Sequence, residues 1–258
     1  MIDQTSPDFV ASFARGLSVL RAFSADAPRQ TLSEVAERTG LTRAAARRFL
    51  LTLEALGYAQ SEGRHFRLTP LVLDLGFSYL SSLDMADTLQ PWLQRAGDAL
   101  NESCSAAVLD GSDVIHIARA GGPPHVLTVN LAVGARLPAH CTAMGQVLLA
   151  HLAPPRRNVL LRSLGFEPRT PATITDMKSL SDRLAEVRDQ GYALSDQELE
   201  PGLRALAVPL HDRSGTVIAA MAVSTHSARM STDRLLAVGL PALQDAARGF
   251  DATQAMRG

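Results

Sequence analysis

The spacing of apolar residues along this chain changes character near residue 84. Before it, helical periodicities dominate. Phe13, Leu17, Leu20 and Phe23 recur at helical intervals within Phe9–Ser24 and predict a first helix. Thr31 followed three residues later by Glu34 is a capping-box pattern; it opens a short helix over Leu32–Thr39 that Gly40 stops. Thr42 can cap a third helix running to about Leu56. On it Ala45, Phe49, Leu53 and Leu56 form one stripe, and Arg43 and Arg47 project from the opposite side. Gly57 ends this helix. Tyr58-Ala59-Gln60 and Arg64–Leu68 then alternate around Ser61-Glu62-Gly63, the pattern of a β-hairpin. Pro70 opens another helical stretch, Leu71–Leu83, with Leu73, Gly76, Phe77 and Leu80 as a packing seam.

The remainder is mixed. Helices are expected over Asp87–Asn101, Thr142–His151, Pro154–Leu164, Asp176–Gln190 and, capped by Ser231, Ser231–Phe250. Strands are expected at Ala106–Leu109, Val114–Ala118, His125–Asn130, Tyr192–Asp196, Ala205–Leu210 and Val217–Thr225. Asp110–Asp113 and Asp212–Gly215 read as the turns of two hairpins. Antiparallel strands flanked by helices make an α+β domain. The division expected is 9–69 for a winged helix-turn-helix, 70–83 for a linker helix and 84–252 for a second, sensor-type domain.

Composition narrows the class. With 258 residues, 46% of them apolar and 20% charged, the chain is globular and long enough for two domains. No apolar run reaches spanning length, and the opening residues lack a secretory pattern, so a cytoplasmic location with no membrane partner is expected. Two cysteines exclude a disulfide framework. The net charge of −1 is uninformative, but its distribution is not. Between Arg43 and Arg67, five arginines face two glutamates, a local excess of three positive charges.

That excess sits on the most specific motif. Two helices joined by a Gly-containing turn over Leu32–Leu51 are the helix-turn-helix signature. Small Ala36 suits close helix crossing. Arg43 and Arg47 lie at the N-terminal end of the second helix, where a recognition helix meets base edges. The following hairpin, carrying Arg64, His65 and Arg67, makes the winged variant. Ser33, Thr42, Ala44 and Arg48 complete the expected DNA-facing set, and the partner is double-stranded DNA. A plain three-helix bundle with solvated arginines is the bland alternative, and a winged module for protein contacts is another. The wing disfavours the first, and the placement of Arg43 and Arg47 disfavours the second.

These blocks resemble the IclR-type bacterial transcriptional regulators. The resemblance runs from about Phe9 to Asp251. It rests on Ala14–Leu20, Leu32–Leu51 and Leu53–Tyr58, then on Arg136–Ala150 and on Gly191-Tyr192 through Gly202–Leu210. It implies a GAF-like effector-binding second domain. The stretch Asp196–Arg204 is most similar to the branch controlling protocatechuate, p-hydroxybenzoate and β-ketoadipate catabolism. One departure is Gln146, where the family commonly carries Lys or Arg; this removes a charge that could meet an acidic effector.

A pocket also follows from chemistry. Leu137–Thr142 leads into a helix whose free N-terminal amides suit a carboxylate. Ser195, Asp196 and the strand entry Gly202–Ala205 could face it, with Ala222 and Ser224 on the neighbouring strand. The resemblance implies effector contact at Cys141, Ala143, Met144, Ser195, Leu203, Ala205, Ala222 and Ser224. His140-Cys141 invites a catalytic reading, but adjacent residues on an extended segment point opposite ways and no base is in view. Cys104, His116, His140 and Cys141 lack zinc spacing, and Gly121–Pro124 reads as a loop rather than a phosphate cradle. No metal, cofactor or catalytic residue is expected. The reading is a homodimer or dimer of dimers that binds a pseudo-palindromic operator and represses or activates in response to a small aromatic or dicarboxylic acid. A thiol hydrolase with a fused DNA-binding domain is the rival from another class.

Overall fold

The computed structural model describes residues 5–24, 26–75, 85–122 and 132–256. The chain divides into two units, residues 1–82 and 83–258. In the first, α1 (Ala11–Arg21) is followed by β1 (Arg29–Thr31), α2 (Leu32–Thr39), α3 (Arg43–Ala55), β2 (Ala59–Glu62) and β3 (His65–Leu68). The capping box at Thr31 is formed: Thr31 N–H donates to Glu34 Oε2 at 2.6 Å, and Glu34 N–H donates to Thr31 Oγ1 at 3.4 Å. Gly40 ends α2 at φ 66°, a left-handed conformation that a side chain disfavours. Thr42 then caps α3, accepting from Ala45 N–H at 3.2 Å.

Two details of this unit differ from the periodicity. The buried line of α3 is Ala46, Leu50 and Leu53, whereas Ala45 and Phe49 are half-buried and Leu56 is 60% exposed. One residue along a helix is about 100° of rotation, so a stripe taken one residue off leaves its end in solvent. On α1 the buried residue is Val19, and Phe13 and Leu17 are exposed. The structure also adds β1, giving the antiparallel order β1-β3-β2. Three residues carry no periodicity; buried Gln30 anchors β1 by donating to the Ala22 carbonyl at 2.7 Å. Of the linker seam, Leu73 is exposed, and Gly76, Phe77 and Leu80 lie outside the described residues.

The second unit contains α4 (Met85–Leu100), β4 (Ser103–Asp110), β5 (Asp113–Ala120), β6 (Arg136–Pro138), α5 (Ala143–His151), α6 (Pro154–Ser163), α7 (Met177–Gln190), β7 (Ala193–Asp196), β8 (Leu203–His211) and β9 (Val217–His226). Its strands form one antiparallel sheet in the order β6-β5-β4-β9-β8-β7. The expected strand His125–Asn130 lies outside the described residues. A last helix, α8, runs from Thr232 to Met256 with a π turn at Leu235–Gly239. The π turn falls just before Pro241, which has no N–H to give and whose ring collides with a regular preceding turn.

Alternation along the strands assigns the two faces. Ala107, Val114, Ala193, Ala207, Ala220 and Ala222 pack with α5, α6 and α7 in one core. The opposite residues face α4 and α8, which also contact each other. Every residue of α5 from Ala143 to Ala150 is buried, so this helix is enclosed all round rather than on one stripe, with Gln146 its one polar side chain in that span. Among the described residues, no helix is long and apolar enough to cross a membrane.

Helix α5 lies hard against the chain that leads into it. A Cβ at Gly145 would stand 2.2 Å from the Ala139 carbonyl oxygen and 2.3 Å from its Cα. Gly145→Ala is therefore expected to destabilise the second unit by about 1–3 kcal/mol, the usual cost of overpacking. Urea unfolding followed by the fluorescence of Trp92, the sole tryptophan, measures this; a wild-type midpoint would contradict the close contact.

Candidate nucleic-acid interface and effector cavity

In the first unit, Ser33 of α2 and Arg43, Ala44, Arg47 and Arg48 of α3 are all exposed. Among the described residues, none of these three arginines enters an ion pair. Their charge is thus available to a polyanion. Thr42, also exposed, has its hydroxyl engaged as the α3 cap. In the wing, Arg64 is exposed at the turn, and His65 and Arg67 are half-buried. Arg67 is partly neutralised within the wing, since its Nε lies 2.8 Å from Glu62 Oε1. Arg29 of β1 approaches the same glutamate at 3.5 Å.

In the second unit, a small cavity of about 30 Å³ opens where the N-terminus of α5 meets the sheet. It is lined by His116, Leu137, Cys141, Thr142, Ala143, Met144, Ser195, Leu199, Leu203, Ala205, Ala222 and Ser224. Thr142 caps α5, accepting from Gly145 N–H at 3.3 Å and donating to the Pro138 carbonyl at 2.9 Å. The amides of Ala143 and Met144, at the first two helical positions, have no acceptor among the described residues. Ser195 Oγ donates to the Cys141 carbonyl at 3.4 Å, tying β7 to the helix entry.

Eight of the nine residues expected at the effector site line this one cavity: Cys141, Ala143, Met144, Ser195, Leu203, Ala205, Ala222 and Ser224. Asp196 does not. It follows Ser195 on the same strand and so points to the other face, where it pairs with Arg204 through Nε–Oδ1 at 2.7 Å and Nη2–Oδ2 at 3.0 Å. That bidentate contact holds its carboxyl below the usual carboxylate range. His116, Leu137, Thr142 and Leu199 line the cavity without having been assigned to it from the sequence. His116 reaches it through a bulge in β5 that leaves no composition signal.

Gln146 does not line the cavity. It is fully buried, and its Nε2 donates to the His140 carbonyl at 3.1 Å and to Glu198 Oε2 at 2.8 Å. Arg183 Nη1 lies 3.4 Å from the other oxygen of Glu198. Burial raises the Glu198 carboxyl above its ordinary value, opposed by Arg183 and Gln146. Burial also pushes the Cys141 thiol up to about 12, leaving it protonated at neutral pH and a poor nucleophile. Cys104 is pushed up to about 12 in the same way. Among the described residues, no cluster of His, Cys, Asp or Glu could hold a metal ion.

A winged helix-turn-helix with exposed arginines on its second helix, carried on the same chain as an α+β domain with a small cavity at a helix N-terminus, has the plan of a ligand-responsive DNA-binding regulator. Residues 12–63 match the IclR helix-turn-helix domain, and residues 77–252 match the bacterial transcriptional regulator IclR C-terminal domain. This chain belongs to the IclR family of DNA-binding transcriptional regulators. It is 45% identical over 242 residues to the Pca regulon regulatory protein of Pseudomonas putida, covering 94% of this chain and 83% of that one. A transcriptional regulator from Rhodococcus sp. RHA1 superposes with a TM-score of 0.85 at 42% identity, over 96% of this chain and all of that one. An IclR homologue from Microbacterium hydrocarbonoxydans, solved with 4-hydroxybenzoate, superposes with a TM-score of 0.81 at 27% identity, over 95% and 99% of the two chains.

The cavity carries a pH signature. Burial lowers His116 from its ordinary value of 6.5 to about 4, and burial also lowers His140 and His151. A folded-state pKa below the unfolded one means that folding favours the neutral ring. The stability is fully present above about pH 6.5 and is lost as pH falls toward about 4. For His116 the whole loss is on the order of 3 kcal/mol. Urea unfolding of the His116→Gln variant should show a shallower fall over this window than wild type, by about one proton in slope. Parallel curves would show that His116 does not titrate in this way.

Proposed function

We propose that this protein is a one-component regulator of aromatic-acid catabolism, whose effector is a hydroxybenzoate-type acid bound in the cavity at the α5 N-terminus. The observation that carries this reading is the convergence of that cavity. It combines a helix N-terminus whose first two amides have no acceptor among the described residues with an apolar wall, a few polar groups and no charged side chain. The helix end is then the complement for a carboxylate. The Pca regulon regulatory protein and the homologue solved with 4-hydroxybenzoate support the same chemistry. A cavity of about 30 Å³ holds roughly one or two waters, so an aromatic acid must push its walls apart on entry. Met144, unbranched and flexible, is suited to yield. Such a ligand has different affinities for the closed and opened arrangements, which is the condition for a population shift.

On the DNA side, Arg43, Arg47 and Arg48 are proposed to enter the major groove or contact its phosphates. Ser33, Thr42, Ala44, Arg64, His65 and Arg67 complete the interface. Double-stranded DNA is met by two or four copies of the chain, because a single winged module covers too little surface for operator specificity. The operator is then pseudo-palindromic, with half-site centres about 34–36 Å apart or a multiple of it. Phe13 and Leu56 are exposed and line an apolar groove of the first unit with Leu17 and Leu75, and this groove is proposed as the surface for self-association. The protein acts without membrane, metal or cofactor, in the cytoplasm, and performs no catalysis; the protonated Cys141 thiol speaks against a thiol hydrolase.

Calorimetry with 4-hydroxybenzoate, 3,4-dihydroxybenzoate and β-ketoadipate, with gel shifts on the DNA upstream of the protein's own gene, tests the whole reading. Saturable binding by at least one acid, with a change in the shift, is expected; no binding by any would overturn the effector assignment. Arg47→Ala should weaken operator binding by about 1–3 kcal/mol if it makes a bidentate base contact. If it makes only a phosphate contact, the slope of log K against log salt should drop by about one. Unchanged affinity and slope in a folded variant would remove Arg47 from the interface. Phe13→Glu should lower the mass seen by light scattering, and a wild-type chain that is monomeric at micromolar concentration would refute self-association.

A further inference from the structure

Among the residues lining the cavity, Thr142 and Ser195 direct their hydroxyls to backbone carbonyls. His116 is different. It is 1% exposed, and neither ring nitrogen has a hydrogen-bond partner among the described residues. Buried polar atoms are nearly always satisfied, and exceptions mark places where something else is meant to pair. The backbone around His116 is built to aim it. Opposite Ala107 on β4 stand two residues of β5, His116 and Ile117, because the register shifts there. Such a bulge re-aims a side chain beside a site. On the other edge, His116 N–H donates to the Ala135 carbonyl at 3.0 Å and its carbonyl accepts from Gly134 N–H at 2.8 Å, which fixes the residue in place.

We propose that His116 is the specificity-determining residue of the effector site, hydrogen-bonding a ring hydroxyl of the acid whose carboxylate rests on the amides of Ala143 and Met144. This rests on the effector reading above. The assignment follows from matching donors to acceptors. A carboxylate only accepts, and the two amides only donate. A neutral imidazole offers one donor and one acceptor, and a phenolic hydroxyl can satisfy either. Burial keeps the ring neutral, so it does not compete with the helix end for the anion. An acid without the hydroxyl leaves the imidazole unsatisfied when bound, and a site built around a polar partner discriminates against the analogue that lacks it.

The test is calorimetric titration of the full-length protein with benzoate, 3-hydroxybenzoate, 4-hydroxybenzoate and 3,4-dihydroxybenzoate. Wild type should bind at least one hydroxylated acid about tenfold or more tightly than benzoate. In His116→Leu this preference, read as the ratio of the two affinities, should collapse to about threefold or less, and His116→Gln, which retains a donor and an acceptor, should recover part of it. A wild-type ratio in His116→Leu overturns the role of His116 and leaves the effector reading standing. Failure of wild type to bind any of the four overturns both. A second measurement needs no stable leucine variant. The ring nitrogen resonances of His116, identified by their loss in His116→Gln, should move on adding the preferred hydroxylated acid and stay with benzoate. Equal movement with both ligands counts against the proposal.

Discussion

The contact on which the second unit depends is the approach of α5 to the chain just before it. Gly145 lets the first turn of the helix rest on the Ala139 backbone, and Thr142 binds that turn to Pro138. Because α5 is buried on all sides, it cannot slide outward to relieve a clash. Its N-terminus is therefore held in the interior beside the strand residues of β7, β8 and β9. An interior helix end is an unusual possession. Its first amides are groups that water normally satisfies, and here their residues line one cavity with apolar side chains and a buried imidazole. The effector binding proposed for the unit is a consequence of that placement.

Charge is handled differently in the two units. The cavity excludes formal charge, and the charged groups nearby are consumed in local pairs: Asp196 with Arg204, Glu198 with Arg183 and Gln146. Gln146 is instructive. Where the family resemblance suggests a cation turned to the effector, this chain has an amide turned away from it, tied to a buried carboxylate. In the first unit the opposite holds. Among the described residues the arginines of α3 are exposed and enter no ion pair, while Arg29 of β1 and Arg67 of the wing are partly drawn to Glu62. That exposed charge is what the proposed DNA contact draws on.

Much of this was legible before any coordinates. Helix starts at Thr31, Thr42 and Ser231 are written in short polar side chains that bond the amides just after them, and all three cap as the sequence implies; Thr142 and Asp176, expected only as helix starts, cap in the same way. Hairpins announce themselves through Gly-containing turns. These signals are local, so tertiary packing has little to add. The α3 stripe was placed one residue off because both Ala45 and Ala46 fit an apolar pattern, and only the packing of α2 and β2 selects Ala46. β1 went unseen because its existence depends on pairing with β3, far along the chain.

The sequence by itself determined the two-unit plan, the winged helix-turn-helix, the exposed arginines and the membership of most cavity residues, because these follow from local periodicity, caps and long recognisable blocks. Tertiary structure decided which of two adjacent strand residues faces the cavity, sending Ser195 in and Asp196 out, since the register of a sheet is set by its partners and one residue reverses every side chain. It also decided that His116 belongs to the site, through a bulge that exists only because β4 and β5 pair with an extra residue on one side. Burial of a polar ring without a partner is a property of the assembled core, and no reading of neighbouring residues along the chain could have supplied it.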